Sequence, residues 1–183
     1  MILGSGGREH ALAWKISKSK LSDNLYIAPG NGGTSIEGIN VPLNINNFKE
    51  VKDYVLEKSI DLVIVGPEEP LVNGIVDFFK EDNDLEKVKI FGPGKSGAKL
   101  EGSKDFSKEF MFRNNIPCGK SETFNKDTLE NGFKFLENIS SPYVLKADGL
   151  AAGKGVLILD DLEEAKKELS NMILKEKFGE ASK

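Results

Sequence analysis

The first half of the chain alternates short aliphatic runs with stretches of helical periodicity, and this pattern constrains the fold more than any other feature. Aliphatic runs at residues 1–3, 25–28, 62–65 and 88–91 predict four β-strands. The stretches between them place apolar residues three and four positions apart, as on one face of a helix: Leu12, Ala13 and Ile16, then Phe48, Val51 and Val55, then Leu71, Val72, Ile75, Val76 and Phe79. Such alternation is typical of a parallel sheet covered by helices. We therefore predict an N-terminal parallel α/β domain of the Rossmann-like type.

The second half has a different texture. A Gly-Pro-Gly sequence at residues 92–94 breaks the alternation, and we place a domain boundary after it, with one domain at residues 1–100 and another at residues 101–183. The predicted elements of the second domain are a helix over 103–113, a strand near 119–124, a helix carrying Leu129, Phe133 and Leu136, an antiparallel hairpin of 143–146 with 156–159, and a long helix from Leu162 to Ile173. This order indicates an α+β module.

Composition excludes several classes of protein. The 25 Lys and Arg residues are balanced by 29 Asp and Glu residues, and the net charge of −4 gives no electrostatic footprint for nucleic acid or an anionic membrane. No apolar run approaches the roughly 18 residues of a membrane span. One cysteine, Cys118, and one histidine, His10, cannot form a disulfide or a Cys/His metal cluster. We expect a cytoplasmic protein with small-molecule partners.

A glycine-rich loop follows the first predicted strand and opens the first helix. Its sequence, GSGGREH at residues 4–10, allows close backbone approach to an anion at the helix N-terminus. It does not complete a dinucleotide fingerprint, because the third glycine is replaced by Glu9 and no acidic residue follows the second strand. Arg8 can pair with a phosphate, and Glu9 can face the polar part of a small ligand. A plain strand-to-helix turn with solvated charges remains the alternative.

Two further loops emerge at the same predicted edge of the sheet. They are APGNGGT at residues 28–34 and VGPEEPL at residues 65–71. Open parallel sheets bind ligands at this edge, so the three loops can form walls of one pocket. Each loop taken alone is also explained by ordinary turn chemistry.

A lysine-bearing glycine loop is the strongest local signal in the sequence. It reads LKADGLAAGKGV at residues 145–156 and places two lysines around a flexible turn, which suits nucleotide phosphates. It is not a Walker A loop, because it is one residue too short and lacks the Ser or Thr that binds magnesium. Lys104, with Lys108 one turn later, reads by position alone as part of an exposed helix face.

The order of these motifs, with LEGSK at residues 100–104 between the third loop and the lysine loop, resembles the phosphoribosylamine–glycine ligase family of the ATP-grasp superfamily across essentially the whole chain. The resemblance implies a pre-ATP-grasp domain followed by the first lobe of an ATP-grasp module. It implies a ligase that activates glycine with ATP and passes the glycyl group to phosphoribosylamine, in purine biosynthesis. ATP is then a substrate, and Mg²⁺ or Mn²⁺ serves the full-length enzyme.

The same resemblance implies roles for particular residues. The residues implied at ATP are Lys104, Lys146, Gly149, Gly153, Lys154 and Gly155, and those implied at the phosphoribosyl substrate are Gly6, Gly7, Arg8, Glu9 and Glu68. The family's metal ligands, glycine site and remaining nucleotide lobe are expected beyond Lys183. We therefore expect the 183-residue chain to be the N-terminal portion of such an enzyme and to be inactive alone. The alternative is a stand-alone module that binds a phosphosugar or nucleotide without catalysis, and an NAD-dependent dehydrogenase is disfavoured.

Overall fold

The fold is given by a computed structural model that describes residues 1–149 and 155–175. The chain divides into two units, Met1–Lys99 and Leu100–Lys183, and each has its own hydrophobic core. The elements of the first unit are β1 Ile2–Gly4, α1 Gly7–Ile16, β2 Tyr26–Pro29, α2 Thr34–Glu37, β3 Ile39–Asn40, α3 Phe48–Glu57, β4 Leu62–Val65, α4 Glu68–Asn73, α5 Ile75–Glu81 and β5 Lys89–Phe91. Helix α6, Lys95–Gly102, connects to the second unit.

The first unit is built on a parallel five-stranded sheet in the order β3-β2-β1-β4-β5. Consecutive strand residues point to opposite faces, so both faces of this sheet need cover. On one face, Ile2 and Ile27 pack with Ala13 of α1. On the other, Leu3 and Val63 pack with buried side chains of α3 and α5. The parallel α/β prediction is therefore confirmed.

The strand order reverses direction at the centre of this sheet. The chain runs outward from β1 to β2 and β3, then returns to place β4 on the other side of β1. Ligands of open α/β sheets bind beyond the carboxyl ends of the strands at such a switch point. The loops that follow β1 and β4 therefore lie at the favoured position for a binding site.

The second unit carries an antiparallel hairpin with helices on one face. Its elements are α7 Lys104–Arg113, α8 Leu129–Glu137, β6 Tyr143–Lys146, β7 Val156–Leu159 and α9 Leu162–Leu174. The hairpin pairs Tyr143 with Leu159 and Lys146 with Val156, as predicted. Alternate residues of β6 are buried, and Tyr143 and Leu145 share a core with side chains of α8 and α9.

Two predicted elements are wrong. Residues 119–124 form no strand, and most of their side chains are exposed. Residues of this segment and of β6 line the same cavity, and the segment does not pair with β6 through backbone hydrogen bonds. The single helix expected around residues 71–79 is two helices, α4 and α5, because Gly74 adopts a left-handed conformation with φ of 97°. The short elements α2, β3 and α6 were not predicted.

Candidate functional site

The loops after β1 and β4 meet at the switch point of the first unit. The Gly66 N–H donates to the Leu3 carbonyl at 3.0 Å, so the second loop begins beside the end of β1. The Arg8 guanidinium donates through Nη1 to the Gly66 carbonyl and lies 4.0 Å from a Glu68 carboxylate oxygen. The structure thus brings together Arg8 and Glu68, two of the residues for which the family resemblance implies contact with the phosphoribosyl substrate.

Glu9 supports these two loops from within. It is only 4% exposed, and its Oε2 accepts a hydrogen bond of 2.6 Å from the Gly6 N–H at the start of α1. A Cβ built on Gly66 would lie 2.1 Å from Glu9 Oε1, so any larger residue at position 66 would displace the carboxylate. Glu9 therefore has a structural role in shaping the loops, and its contact with a ligand stays a prediction.

The start of α1 leaves room for a ligand. Gly6 is the N-cap in an extended conformation, and Gly7 is the first residue of the helix. A Cβ built on Gly7 would meet nothing within 4 Å. The absence of a side chain at Gly7 is therefore not required by packing within the described chain, and a ligand that approaches the backbone would account for it.

Asn31 joins the loop after β2 to the loop after β1, a connection that sequence reasoning missed. Its Nδ2 donates to the Ser5 carbonyl at 2.8 Å, and its Oδ1 accepts from the N–H groups of Gly33 at 2.7 Å and Thr34 at 3.0 Å. The Asn40 side chain also donates to the Asn31 carbonyl, at 2.7 Å. Asn between glycines is a turn signal, but its reach to another loop has no local signature.

The second unit contains a cavity of about 310 Å³ with a polar rim and an apolar floor. It touches Val144, Leu145, Lys146 and Ala147 in succession. Because successive strand residues point to opposite faces, a cavity that touches all of them lies along the edge of β6, opposite the edge that pairs with β7. Side chains of α8 and α9 form the floor: Phe135, Leu136, Leu169, Met172 and Ile173.

Lys104 and Lys146 both line this cavity although they are distant in sequence. The Lys104 ammonium donates to the Gly149 carbonyl at 2.9 Å, which holds it beside the residues that follow β6. Lys120, which sequence reasoning did not select, lines the same cavity. Two of the lysines predicted to bind ATP phosphates therefore line the same cavity. Their contact with ATP stays a prediction.

Asp148 connects the end of β6 to the start of α7. Its Oδ1 accepts from the backbone N–H groups of Lys104 at 2.6 Å and Asp105 at 3.2 Å, and its Oδ2 accepts from the Ser103 hydroxyl at 3.1 Å. Its partners are 43 to 45 positions away, so no local pattern could have revealed this role.

Part of the predicted nucleotide loop lies outside the described residues. Gly153 and Lys154 belong to that part. Gly149 has a left-handed conformation with φ of 79°, and the buried Gly155 accepts the Ala147 N–H at 2.8 Å through its carbonyl. The described residues thus give the two ends of the loop.

The described ranges offer no metal site and no membrane span. Among residues 1–149 and 155–175, no group of three or more His, Cys, Asp or Glu side chains could hold a metal ion. Within the same ranges, every helix is too short or too polar to cross a bilayer.

Two family models together match the whole chain. Residues 1–101 match the N domain of phosphoribosylglycinamide synthetase, and residues 102–183 match its ATP-grasp (A) domain. The match to an ATP-grasp domain places the chain in the ATP-grasp class of ligases. Within that class, the chain belongs to the phosphoribosylglycinamide synthetase family, which confirms the resemblance drawn from the motifs.

Known relatives agree with this assignment. Curated phosphoribosylamine–glycine ligases are 45% identical over 178 residues in Clostridium acetobutylicum and 45% identical over 183 residues in Haemophilus influenzae, covering 97% and 99% of this chain. The chain spans 41% of the length of each of these relatives.

Solved structures are also similar to this chain. The crystal structure of the Thermotoga maritima phosphoribosylamine–glycine ligase superposes with a TM-score of 0.70 at 34% identity, covering 98% of this chain and 40% of that one. N5-carboxyaminoimidazole ribonucleotide synthetase from Thermus thermophilus superposes with a TM-score of 0.66 at 18% identity, and the match covers 92% of this chain and 42% of that one. This structure shares the fold.

Proposed function

We propose that this chain forms the phosphoribosyl-substrate site and part of the ATP site of a ligase that joins glycine to 5-phosphoribosylamine. The observation that carries the proposal is the convergence of Lys104 and Lys146 on one cavity in a chain of this family. The residues match two domains, which we assign as a substrate domain at 1–100 and an ATP-grasp lobe at 101–183. A cytoplasmic location accords with the free Cys118.

The nucleotide half of the proposal is supported by the chemistry of the cavity. Its volume of about 310 Å³ is near the lower limit of small-molecule sites, roughly 300–1,000 Å³, and suits part of a nucleotide. The apolar floor can contact a planar base, and the ammonium groups of Lys104 and Lys146 can attract phosphate oxygens. We assign the glycine-rich segment Gly149, Gly153, Lys154 and Gly155 to covering those phosphates and excluding water.

The sugar-phosphate half is supported by the loops at the switch point. The N-terminus of α1 is open at Gly7, and backbone N–H groups and the helix dipole at such a terminus favour a phosphate. We assign Gly6, whose N–H binds Glu9, to the same substrate. Arg8 adds a positive charge beside that terminus, and Glu68 offers a carboxylate to ribose hydroxyls or to the amine. Glu9 holds the loops in place, and we assign it to the same substrate.

The proposed reaction has two steps. A glycine carboxylate oxygen bonds to the γ-phosphorus of ATP while the bond to the β,γ-bridging oxygen breaks, giving glycyl phosphate and ADP. The amine of phosphoribosylamine then bonds to the acyl carbon, phosphate leaves, and the nitrogen loses a proton. Lys104 and Lys146 would stabilise charge on the transferred phosphoryl group.

Divalent cations such as Mg²⁺ or Mn²⁺ offset charge on the phosphates in reactions of this kind. The described residues hold no cluster of carboxylates that fits such an ion. The roles proposed for the described residues therefore do not include binding a metal ion.

Calorimetric titration with ATP tests the nucleotide site. We expect Lys146→Ala to weaken ATP binding by about ten-fold or more, since it removes a charge-assisted contact. Lys167→Ala is the matched control, because Lys167 is exposed on α9 and does not line the cavity. Equal affinities for the two variants would remove the phosphate role of Lys146.

A stand-alone binding module is the second candidate, because the cavity with its lysines can bind a nucleotide without catalysis. Both candidates predict binding of ATP and of a phosphosugar. They differ in turnover, because only the ligase part, supplied with the remainder of such an enzyme, supports glycine-dependent phosphate release. Release by the chain alone would contradict our expectation that it is inactive.

A further inference from the structure

We propose that Asp148 is a positioning residue that fixes the two phosphate-binding lysines of the cavity relative to each other. This inference rests on the proposed ATP site, but it concerns a residue that the sequence motifs did not assign. Lys146 stands at the end of β6, and Lys104 stands at the first position of α7. Asp148 is the residue that connects these two elements.

The hydrogen bonds of Asp148 complete the N-terminus of α7. A helix begins with four N–H groups that lack partners within the helix. In α7, Asp148 Oδ1 accepts from the first two, those of Lys104 and Asp105, and the Ser103 hydroxyl accepts from the third, that of Phe106, at 3.1 Å. The Ser107 N–H makes the first regular bond of the helix, to the Ser103 carbonyl at 3.0 Å. Three N–H groups at the start of α7 are thus satisfied by side chains, and two of them depend on a residue that follows β6.

The same segment also holds the Lys104 side chain. The Lys104 ammonium donates to the carbonyl of Gly149, the residue after Asp148. The backbone of Lys104 is thus bound by Asp148, and its ammonium is bound one residue later. Because Asp148 is only two residues from Lys146, these three hydrogen bonds keep Lys104 and the start of α7 close to the end of β6, where Lys146 lies.

Because Asp148 is negatively charged, the positioning role and a purely electrostatic role predict opposite changes in ATP affinity when Asp148 is replaced. The cavity is lined by the lysines Lys104, Lys120 and Lys146 and by the acids Asp105, Glu122 and Asp148, so the formal charges balance. If Asp148 acted only through its charge, its removal would make the cavity more positive and strengthen ATP binding. If Asp148 positions Lys104, removal of its oxygens weakens ATP binding despite the more favourable charge.

Two variants separate geometry from charge. Asp148→Asn loses the charge but keeps an oxygen for the N–H groups of Lys104 and Asp105, and Asn is about as good as Asp at a helix N-terminus. Asp148→Ala loses both. We expect Asp148→Ala to bind ATP at least about ten-fold more weakly than the parent chain, since small displacements of positioning groups have large effects. We expect Asp148→Asn to remain within about three-fold of the parent or to bind more tightly.

Asp161→Ala is the matched control. Asp161 is the N-cap of α9, accepts the Glu164 N–H at 2.8 Å and does not line the cavity. This variant removes a helix cap from the same unit, so it reports what a loss of helix stability alone does to ATP affinity. We expect no change. If Asp148→Ala does not fold, Asp148→Glu, which keeps the charge but moves the carboxylate by one methylene, replaces it, and we again expect weaker binding.

Amide hydrogen exchange adds a measurement without ATP. The amides of Lys104 and Asp105 should exchange faster in Asp148→Ala than in the parent and remain protected in Asp148→Asn. Tighter ATP binding by both variants would overturn the positioning role. Unchanged affinity in Asp148→Ala, with Lys146→Ala still weakened, would overturn it while leaving the ATP site intact. Unchanged affinity in Lys146→Ala would overturn the ATP site and this inference with it.

Discussion

Lys52 shows how a single residue ties together two segments of the first unit. It extends from α3 and donates to Asp82 at 2.5 Å and to Asp84 at 2.7 Å, with only 18% of its side chain exposed. The hydrogen bond from Lys52 lowers the pKa of Asp82 below its usual range. The hydrogen bonds to Asp82 and Asp84 raise the pKa of Lys52. Both directions mean that the ionised cluster favours the folded state.

The Lys52 cluster gives a prediction on pH. A carboxylate with a lowered folded-state pKa adds stability above its unfolded pKa of about 3.9, and that stability is lost as pH falls through the lower folded value. We therefore expect Lys52→Met to unfold at a lower urea concentration than the parent near neutral pH, with the difference shrinking in acid. Lys49→Met is the control, because the Lys49–Asp53 pair is on the surface. An equal deficit at acid and neutral pH would refute this origin.

Replacing Gly7 tests whether a ligand approaches the N-terminus of α1. A Cβ at Gly7 meets nothing within 4 Å, and alanine favours a helix over glycine by up to about 1 kcal/mol. Gly7→Ala should therefore be at least as stable as the parent in thermal unfolding. If a phosphate approaches this backbone, the same variant should bind ribose 5-phosphate more weakly. Gly119→Ala, also free of close neighbours, is the control, and equal affinity of the two variants would argue against a ligand at Gly7.

At the scale of elements, prediction from sequence succeeded where one face of a helix or strand is buried. Val51 and Val55 of α3, and Ala165 and Leu169 of α9, are buried at helical spacing, so their pattern is strong. It failed for α2 and β3, which have four and two residues and no room for a period. It also failed at residues 119–124, where a strand needs a partner and the described chain has a cavity.

The division between α4 and α5 depends on Gly74, whose replacement should lower the free energy of unfolding. Gly74 has φ of 97°, a conformation that costs a residue with a side chain roughly 1–2 kcal/mol. Gly74→Ala should therefore lower the unfolding free energy by about that amount, measured by urea denaturation. Gly74→Asn should lower it less, because asparagine tolerates left-handed conformations better than alanine. Equal losses would mean that the left-handed conformation is not the cause.

At the scale of the whole chain, motif order was more informative than any motif. The glycine-rich loops, the lysine at the helix start and the lysine loop can each be explained by turn chemistry or by an exposed helix face. Their order along the chain, however, led to the family that the comparisons show. The contacts that organise the sites were not predictable in this way. Asn31 and Asp148 act on loops and helices distant in sequence, and such partners are defined only by the fold.

In the proposed function the two units bind two different ligands, ATP in the second and a sugar phosphate in the first. Chemical-shift mapping of the labelled chain, titrated separately with ATP and with ribose 5-phosphate, can locate both sites in one experiment. We predict that ATP shifts the amides of Lys104, Lys146 and Asp148, and that ribose 5-phosphate shifts those of Gly6, Gly7 and Arg8. Shifts by both ligands at one set of loops, or by ATP at residues 6–8 alone, would contradict the claim.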